Sequence, residues 1–157
     1  MSEREGLQRV RAQSELEALQ AALAAEHAVV WGYGVVGSRA DAALLPAVRA
    51  ADSAHRGRRD ATAALVRGLG AEPVTTEPSY ALPFPVTTRG SALRLAVHLE
   101  DGDAAAWRYA VASTDDRAVR RTALTALTDA AVRATRWRLL LPAGAAGATV
   151  PFPGGDG

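Results

Sequence analysis

A proline-punctuated segment, GAEPVTTEPSYALPFPVTTRG at residues 70–90, separates two long stretches of helical character, and its length dictates how the helices on either side can run. Pro73, Pro78, Pro83 and Pro85 keep it from being helical, because each ring removes an amide donor and clashes with the preceding turn. In extended geometry at roughly 3.1 Å per residue, even half of it spans a helix of about 20 residues, which is roughly 30 Å long. The other connections are short, a few residues around 41–45 and about as few around STDD at 113–116. Short connections make antiparallel hairpins. The pattern is two helical hairpins joined by one long crossover, which is an all-α, antiparallel four-helix bundle.

Period and punctuation place the helices. Ser14 and Glu17 have the spacing of a capping box, and Leu16, Leu19, Leu23, Val30 and Tyr33 continue as one helical stripe. This predicts a first helix opening at Ser14, with residues 1–13 as an N-terminal extension. The second is predicted from Pro46 to Gly68 or Gly70, with its stripe on Val48, Ala51, His55, Thr62, Val66 and Leu69. The third opens at Thr88 or Ser91 and passes through Gly102, with Leu93, Ala96, Glu100, Asp103 and Trp107 on one face. The fourth opens where Asp115 and Asp116 complement the helix dipole, carries Leu124, Leu127, Ala130, Ala131 and Ala134, and stops at Pro142. The bundle thus occupies residues 14–141. Residues 142–157 are a Gly/Pro tail with no period, expected to be an irregular arm pinned by Val150 and Phe152. In the crossover, Tyr80 and Phe84 form either a docking ridge or, more simply, the points that tack it to the bundle.

Gly32, Gly34 and Gly37 match the G-x-G-x-x-G spacing of a dinucleotide-binding turn. That turn needs a strand entering and a helix leaving. Residues 14–31 instead carry a helical period with no turn residue, so no dinucleotide is expected, and the glycines should lie within the first helix. Each then costs about 0.5–1 kcal/mol relative to alanine, a penalty that close approach of a neighbouring helix or a second subunit would offset. The formal charge of +1 gives no electrostatic case for nucleic acid or a membrane surface as partner. There is no cysteine, which removes disulfides, thiolate metal sites and a thiol nucleophile. The charged opening MSEREGLQRV is unlike a signal peptide, so a cytoplasmic protein is expected. Self-association into a homodimer through an alanine- and glycine-rich helix face is the expected partnership.

Polar residues interrupt the apolar seams at one level. Glu26 follows Leu23 on the first stripe, Asp52 and His55 share a face of the second helix, Glu100 lies on the third, and Asp129 stands beside the fourth stripe. All lie within about two turns of their helix midpoints, so antiparallel packing brings them together. His27 and His98 fall off the seams, and Trp31, Tyr33, Trp107, Tyr109 and Trp137 read as core or groove-lining aromatics.

An acid on helix 1, acid-x-x-His on helix 2, a long crossover and an acid on helix 3 resembles the ferritin-like di-metal carboxylate superfamily. The segments LQAALAAEHAVVWGYGVVG, AHRGRRDA, YALPFPVT and LRLAVHLEDGDAAAWRY look more closely like a bacterial ferritin-like domain family of unknown function. The resemblance implies a ferritin-like bundle and a metal set of Glu26, Asp52, His55 and Glu100, with Asp129 as a fifth ligand. In place of a second Glu-x-x-His the fourth helix has Asp129 followed by Val132, and a complete two-metal site needs about six protein ligands. Two readings stay open. In one, Arg58, Arg59 or His55 neutralises the acids and the domain is a non-catalytic binding or self-association module. In the other, the same residues hold one or two iron, manganese or zinc ions, with redox activity.

Overall fold

A computed structural model describes residues 3–142, 144 and 147–155. Its order is α1 (Glu3–Ser38), α2 (Leu45–Gly68), α3 (Arg89–Ser113) and α4 (Arg117–Leu139), and no strand occurs among the described residues. The chain is the expected four-helix, all-α bundle. α1 packs against α2 and α3, and α3 against α4.

The helix ends follow local chemistry. The Asp41 carboxylate accepts the Leu44 amide just ahead of α2, with Pro46 in the first turn. Thr88 and Ser91 form a reciprocal capping box on α3, and the Asp116 carboxylate accepts the Ala118 and Val119 amides of α4. At the end of α2, Gly70 adopts φ +79°, the left-handed region in which a side chain would be strained. α1 differs from expectation: it opens at Glu3, eleven residues before Ser14. Glu3 and Glu5 supply the N-terminal negative charge, and Ser14 Oγ bonds back to the Val10 carbonyl within the helix instead of capping it.

The crossover lies along α1. Gln20 clamps it twice, donating to the Glu72 carbonyl at 2.7 Å and accepting the Val74 amide at 2.8 Å. His27 Nε2 bonds the Val74 carbonyl, and Tyr80 packs on Trp31 with ring centroids 5.8 Å apart. The aromatics therefore pin the segment. In the tail, Ala148 is buried but Val150 and Phe152 are exposed, so neither expected pin anchors it. Part of the tail, at residues 143, 145, 146, 156 and 157, lies outside the described residues.

The apolar interior comes in two clusters. One gathers Val29, Tyr33, Val36, Val48, Leu93, Ala96 and Trp137; the other gathers Leu19, Ala22, Val66, Trp107, Ala110, Ala123 and Ala126. The buried face of α4 is Ala123, Ala126, Ala130, Ala134 and Trp137, while Leu124 is exposed, so the stripe is rotated from the one expected. Small alanines let α4 lie close against α3, and the bulkier Leu124 is left outside. Gly32, Gly34 and Gly37 all lie within helical α1. A Cβ on Gly32 would meet Leu99 Cδ1 at 2.6 Å, one on Gly37 would touch Val48 at 3.7 Å, and Gly34 faces open space. Close approach of a neighbouring helix therefore accounts for Gly32 but not for Gly34. Among the described residues no helix is long and apolar enough to cross a membrane.

Candidate functional site

Glu26, His55, Glu100 and Asp103 are buried polar side chains whose helical neighbours divide between the two apolar clusters. α1 presents Glu26 one turn after Leu23, α2 presents His55 one turn after Ala51, and α3 presents Glu100 and Asp103 one turn apart, each in phase with its apolar stripe. His55 links the acids. Its Nδ1 lies 2.7 Å from Glu26 Oε2 and its Nε2 lies 3.1 Å from Glu100 Oε1, with Asp103 Oδ2 at 3.9 Å from Nδ1. An imidazole with a carboxylate at each nitrogen donates twice, which only the protonated ring can do.

The aromatics complete these bonds. Trp107 Nε1 donates to Glu26 Oε1 at 2.9 Å, the Tyr33 hydroxyl donates to Glu100 Oε1, and Trp137 Nε1 donates to the Tyr33 oxygen at 2.9 Å. Tyr33 also stacks on the His55 ring. Two arginines close the flanks. Arg58 Nε is 4.0 Å from Glu26 Oε1 while its Nη2 donates to Asp129 Oδ2 at 2.5 Å, and Arg133 Nη1 is 3.7 Å from Glu100 Oε2.

These surroundings set the proton inventory. Burial by itself lowers the imidazole pKa, but hydrogen bonds to Glu100 and Glu26 and the charges of both carboxylates reverse this and raise His55 to about 9. Asp103 is pushed well above the usual carboxyl range, first by burial and then by the charge of Glu26. Neither of its oxygens has a hydrogen-bond partner, so no hydrogen bond supports an ionised form, and the charges of His55 and Arg58 offset the burial only in part. Tyr33 is pushed upward by burial and by the charge of Glu100, which keeps its proton on the phenol as donor. With Asp103 protonated, each carboxylate among Glu26, Glu100 and Asp129 has a cation among His55, Arg58 and Arg133.

Of the residues expected at a site, Glu26, His55 and Glu100 come together. Asp52 does not: it turns to Arg56 four residues on, at 2.9 Å on the solvent side, where a local ion pair outcompetes reaching into the bundle. Asp129 is half exposed at the rim and meets the layer only through Arg58. Arg59 pairs with Asp60 on the surface. Two members were not foreseen as such. Asp103 was placed on the correct face of α3, and the signal it gave was its one-turn spacing from Glu100. Arg133 falls in the Ala126–Ala130–Trp137 stripe at steps of three and four, a position that its charge disguised.

Glu26, His55 and Asp103 offer ligand atoms all within 4.8 Å of one another. They do not fit a two-ion centre. The donors are too few, both imidazole nitrogens already face carboxylates, and Arg58 and Arg133 bring positive charge to the flanks. One ion is the most this donor set accommodates, and only once His55 releases a proton.

A family model described as "Domain of unknown function (DUF4439)" matches residues 18–157. Among solved structures, the crystal structure of a conserved hypothetical protein, rv2844, from Mycobacterium tuberculosis is similar with a TM-score of 0.81 and 37% sequence identity, covering 82% of this chain and 98% of that one. A search of curated proteins finds no match.

Proposed function

We propose that this chain, which belongs to the DUF4439 family of domains of unknown function, is a ferritin-like binding module without a catalytic role, in which His55, Arg58 and Arg133 take the places that metal ions hold in di-metal carboxylate bundles. The observation that carries this is the position of His55, hydrogen-bonded through both nitrogens to carboxylates from two different helices. A cation that is part of the chain neutralises the acids without recruiting one from solution. Self-association belongs to the same reading. On α1 the exposed positions Leu7, Val10, Ala21 and Ala24 recur at helical spacing, small and apolar residues on one side of the helix suited to a second copy of the chain.

A second reading has its own support. The unpartnered Asp103 oxygens, beside Glu26 and His55, favour a single divalent ion of the manganese, iron or zinc class. Elemental analysis of protein purified without a chelating tag, then incubated with Mn(II), Fe(II) or Zn(II) and desalted, decides between the two. The expected result is far less than one ion per chain. One ion per chain that disappears in Glu26→Gln would overturn the module reading and establish the single-ion one.

A further inference from the structure

Outside the buried layer, one seam of the bundle is left open, that between α2 and α4, which meet less closely than the other neighbouring pairs. Along it Ala47, Ala50 and Ala51 of α2 line one side and Trp137, Leu139 and the C-cap Leu140 of α4 the other, with a cavity of 440 Å³ between them. Small-molecule sites between bundle helices are roughly 300–1,000 Å³, so the space is of ligand size. The Trp137 Nε1–H points inward to Tyr33, which leaves the apolar part of the indole for the groove.

The charge of the groove has one sign. Its ionisable lining residues are Arg133 and Arg136, and no acid lines it. Arg136 has no ion pair among the described residues. Arg133 Nη1 is buried without a hydrogen-bond partner, since Glu100 at 3.7 Å lies beyond bonding distance. Apolar walls with unspent guanidinium donors at one side suit a ligand that is itself divided into an apolar body and an anionic head. An inorganic anion would leave the walls unused, and a neutral chain would leave Arg136 without a charge partner at the groove's edge.

We propose that the α2–α4 groove binds a small amphipathic carboxylate of the medium-chain fatty-acid class, with its chain along the alanine trough against Trp137 and Leu140 and its carboxylate on Arg133 and Arg136. This deepens the binding-module reading and rests on it, supplying the class of ligand.

Calorimetric titration of the full chain in EDTA, with decanoate as probe and decanol as its uncharged match, tests the assignment. Decanoate binds saturably at one per chain, and decanol binds at least about tenfold more weakly. Ala50→Phe, at an exposed helical position, fills the trough and abolishes binding, while Arg136→Gln weakens it about tenfold, with helix content and melting checked for both. No saturable binding, equal binding of decanol, or undiminished binding by Ala50→Phe would each overturn the proposal. So would Ala50→Phe converting a ligand-free dimer to a monomer, because a second copy would then cover the groove. Metal content measured on the same preparation before EDTA treatment keeps the two readings apart. Stoichiometric metal refutes the module reading whatever decanoate does, and absent metal with no decanoate binding refutes the ligand assignment alone.

Discussion

Raising the pH from 6.5 to 9.5 should destabilise this protein, and the sign of that change separates a charge-closed interior from a metal site. His55 is raised from an ordinary 6.5 to about 9. Below 6.5 both the folded and unfolded chains hold the proton, and the favourable interaction of the imidazolium with Glu26 and Glu100 is fully present. Between the two values only the folded chain holds it, so the contribution is lost as the pH rises through about 9. At about 1.4 kcal/mol per unit, a shift of this size corresponds to about 3 kcal/mol. Asp103 acts in the same direction, because a buried acid whose pKa is raised keeps a proton that the unfolded chain releases just above pH 4. The other charges facing His55 are those of Arg58 from α2 and Arg133 from α4, neither of which titrates in this window. Asp41, lowered chiefly by the Leu44 amide, titrates well below it. Urea unfolding followed by tryptophan fluorescence at half-unit intervals measures the slope, with the buried Trp107 and Trp137 as reporters. Wild type is expected to lose at least about 3 kcal/mol across the window, and His55→Gln to remove the His55 share of that loss and leave only what Asp103 contributes. A metal centre predicts the reverse in the presence of its ion, since ligands that shed protons bind more tightly as pH rises. A flat or rising profile in the wild type would refute the proton inventory assigned to the layer.

Two further outcomes follow from individual contacts. Tyr33→Phe removes the donor to Glu100 and the acceptor of Trp137 Nε1 together, and should cost about 2 kcal/mol in chemical denaturation with a shift in tryptophan emission; a loss under about 0.5 kcal/mol would show that those groups find other partners. Gly34→Ala, with open space at the new Cβ, should stabilise α1 by about 0.5–1 kcal/mol, whereas Gly32→Ala must displace Leu99 and should fall below it by about 1 kcal/mol or more; equal melting temperatures would refute the close-approach reading of Gly32.

The sequence was most informative where size and polarity agreed. On α3 every member of the Leu93, Ala96, Glu100, Asp103, Trp107 series is buried, because a single 3.6-residue period carried both the apolar and the polar layers. On α4 size misled. Leu124 has the larger hydrophobic gain on burial, but contact with α3 selects Ala123 and Ala126, whose small side chains permit the closer approach. The start of α1 was misplaced because Ser14 and Glu17 have capping-box spacing inside a longer run of good helix formers. Spacing cannot distinguish a cap from a back-bonded serine. Asp52, expected at the site, lies outside it, and Arg133, absent from the expected set, belongs to it. Asp52 has a local partner at i+4 that the seam could not outbid, and Arg133 reaches inward on a long apolar stem that its charge conceals.

A buried charged layer is a poor source of net stability. Each ion loses hydration worth several kcal/mol, and packed leucines of similar volume are commonly neutral or better. What a charged layer supplies is discrimination among packings. Two of the bundle's interfaces bury alanines, which tolerate sliding by a turn, since one methyl resembles the next. His55 does not tolerate it. A one-turn shift of α2 would carry its imidazole away from both Glu26 and Glu100 and leave two carboxylates uncompensated, a penalty of about 3–5 kcal/mol for each broken pair. Trp107 and Tyr33 impose the same condition on α3 and α1, because each must bring one N–H or O–H to one carboxylate oxygen. The layer therefore fixes the register of an alanine-rich bundle from its middle. That register also sets the alanines of α2 opposite Trp137 and keeps Arg133 beside both Glu100 and the α2–α4 groove. A carboxylate arriving in the groove would compete with Glu100 for Arg133, so any such ligand would act on the charge balance that holds the helices in register.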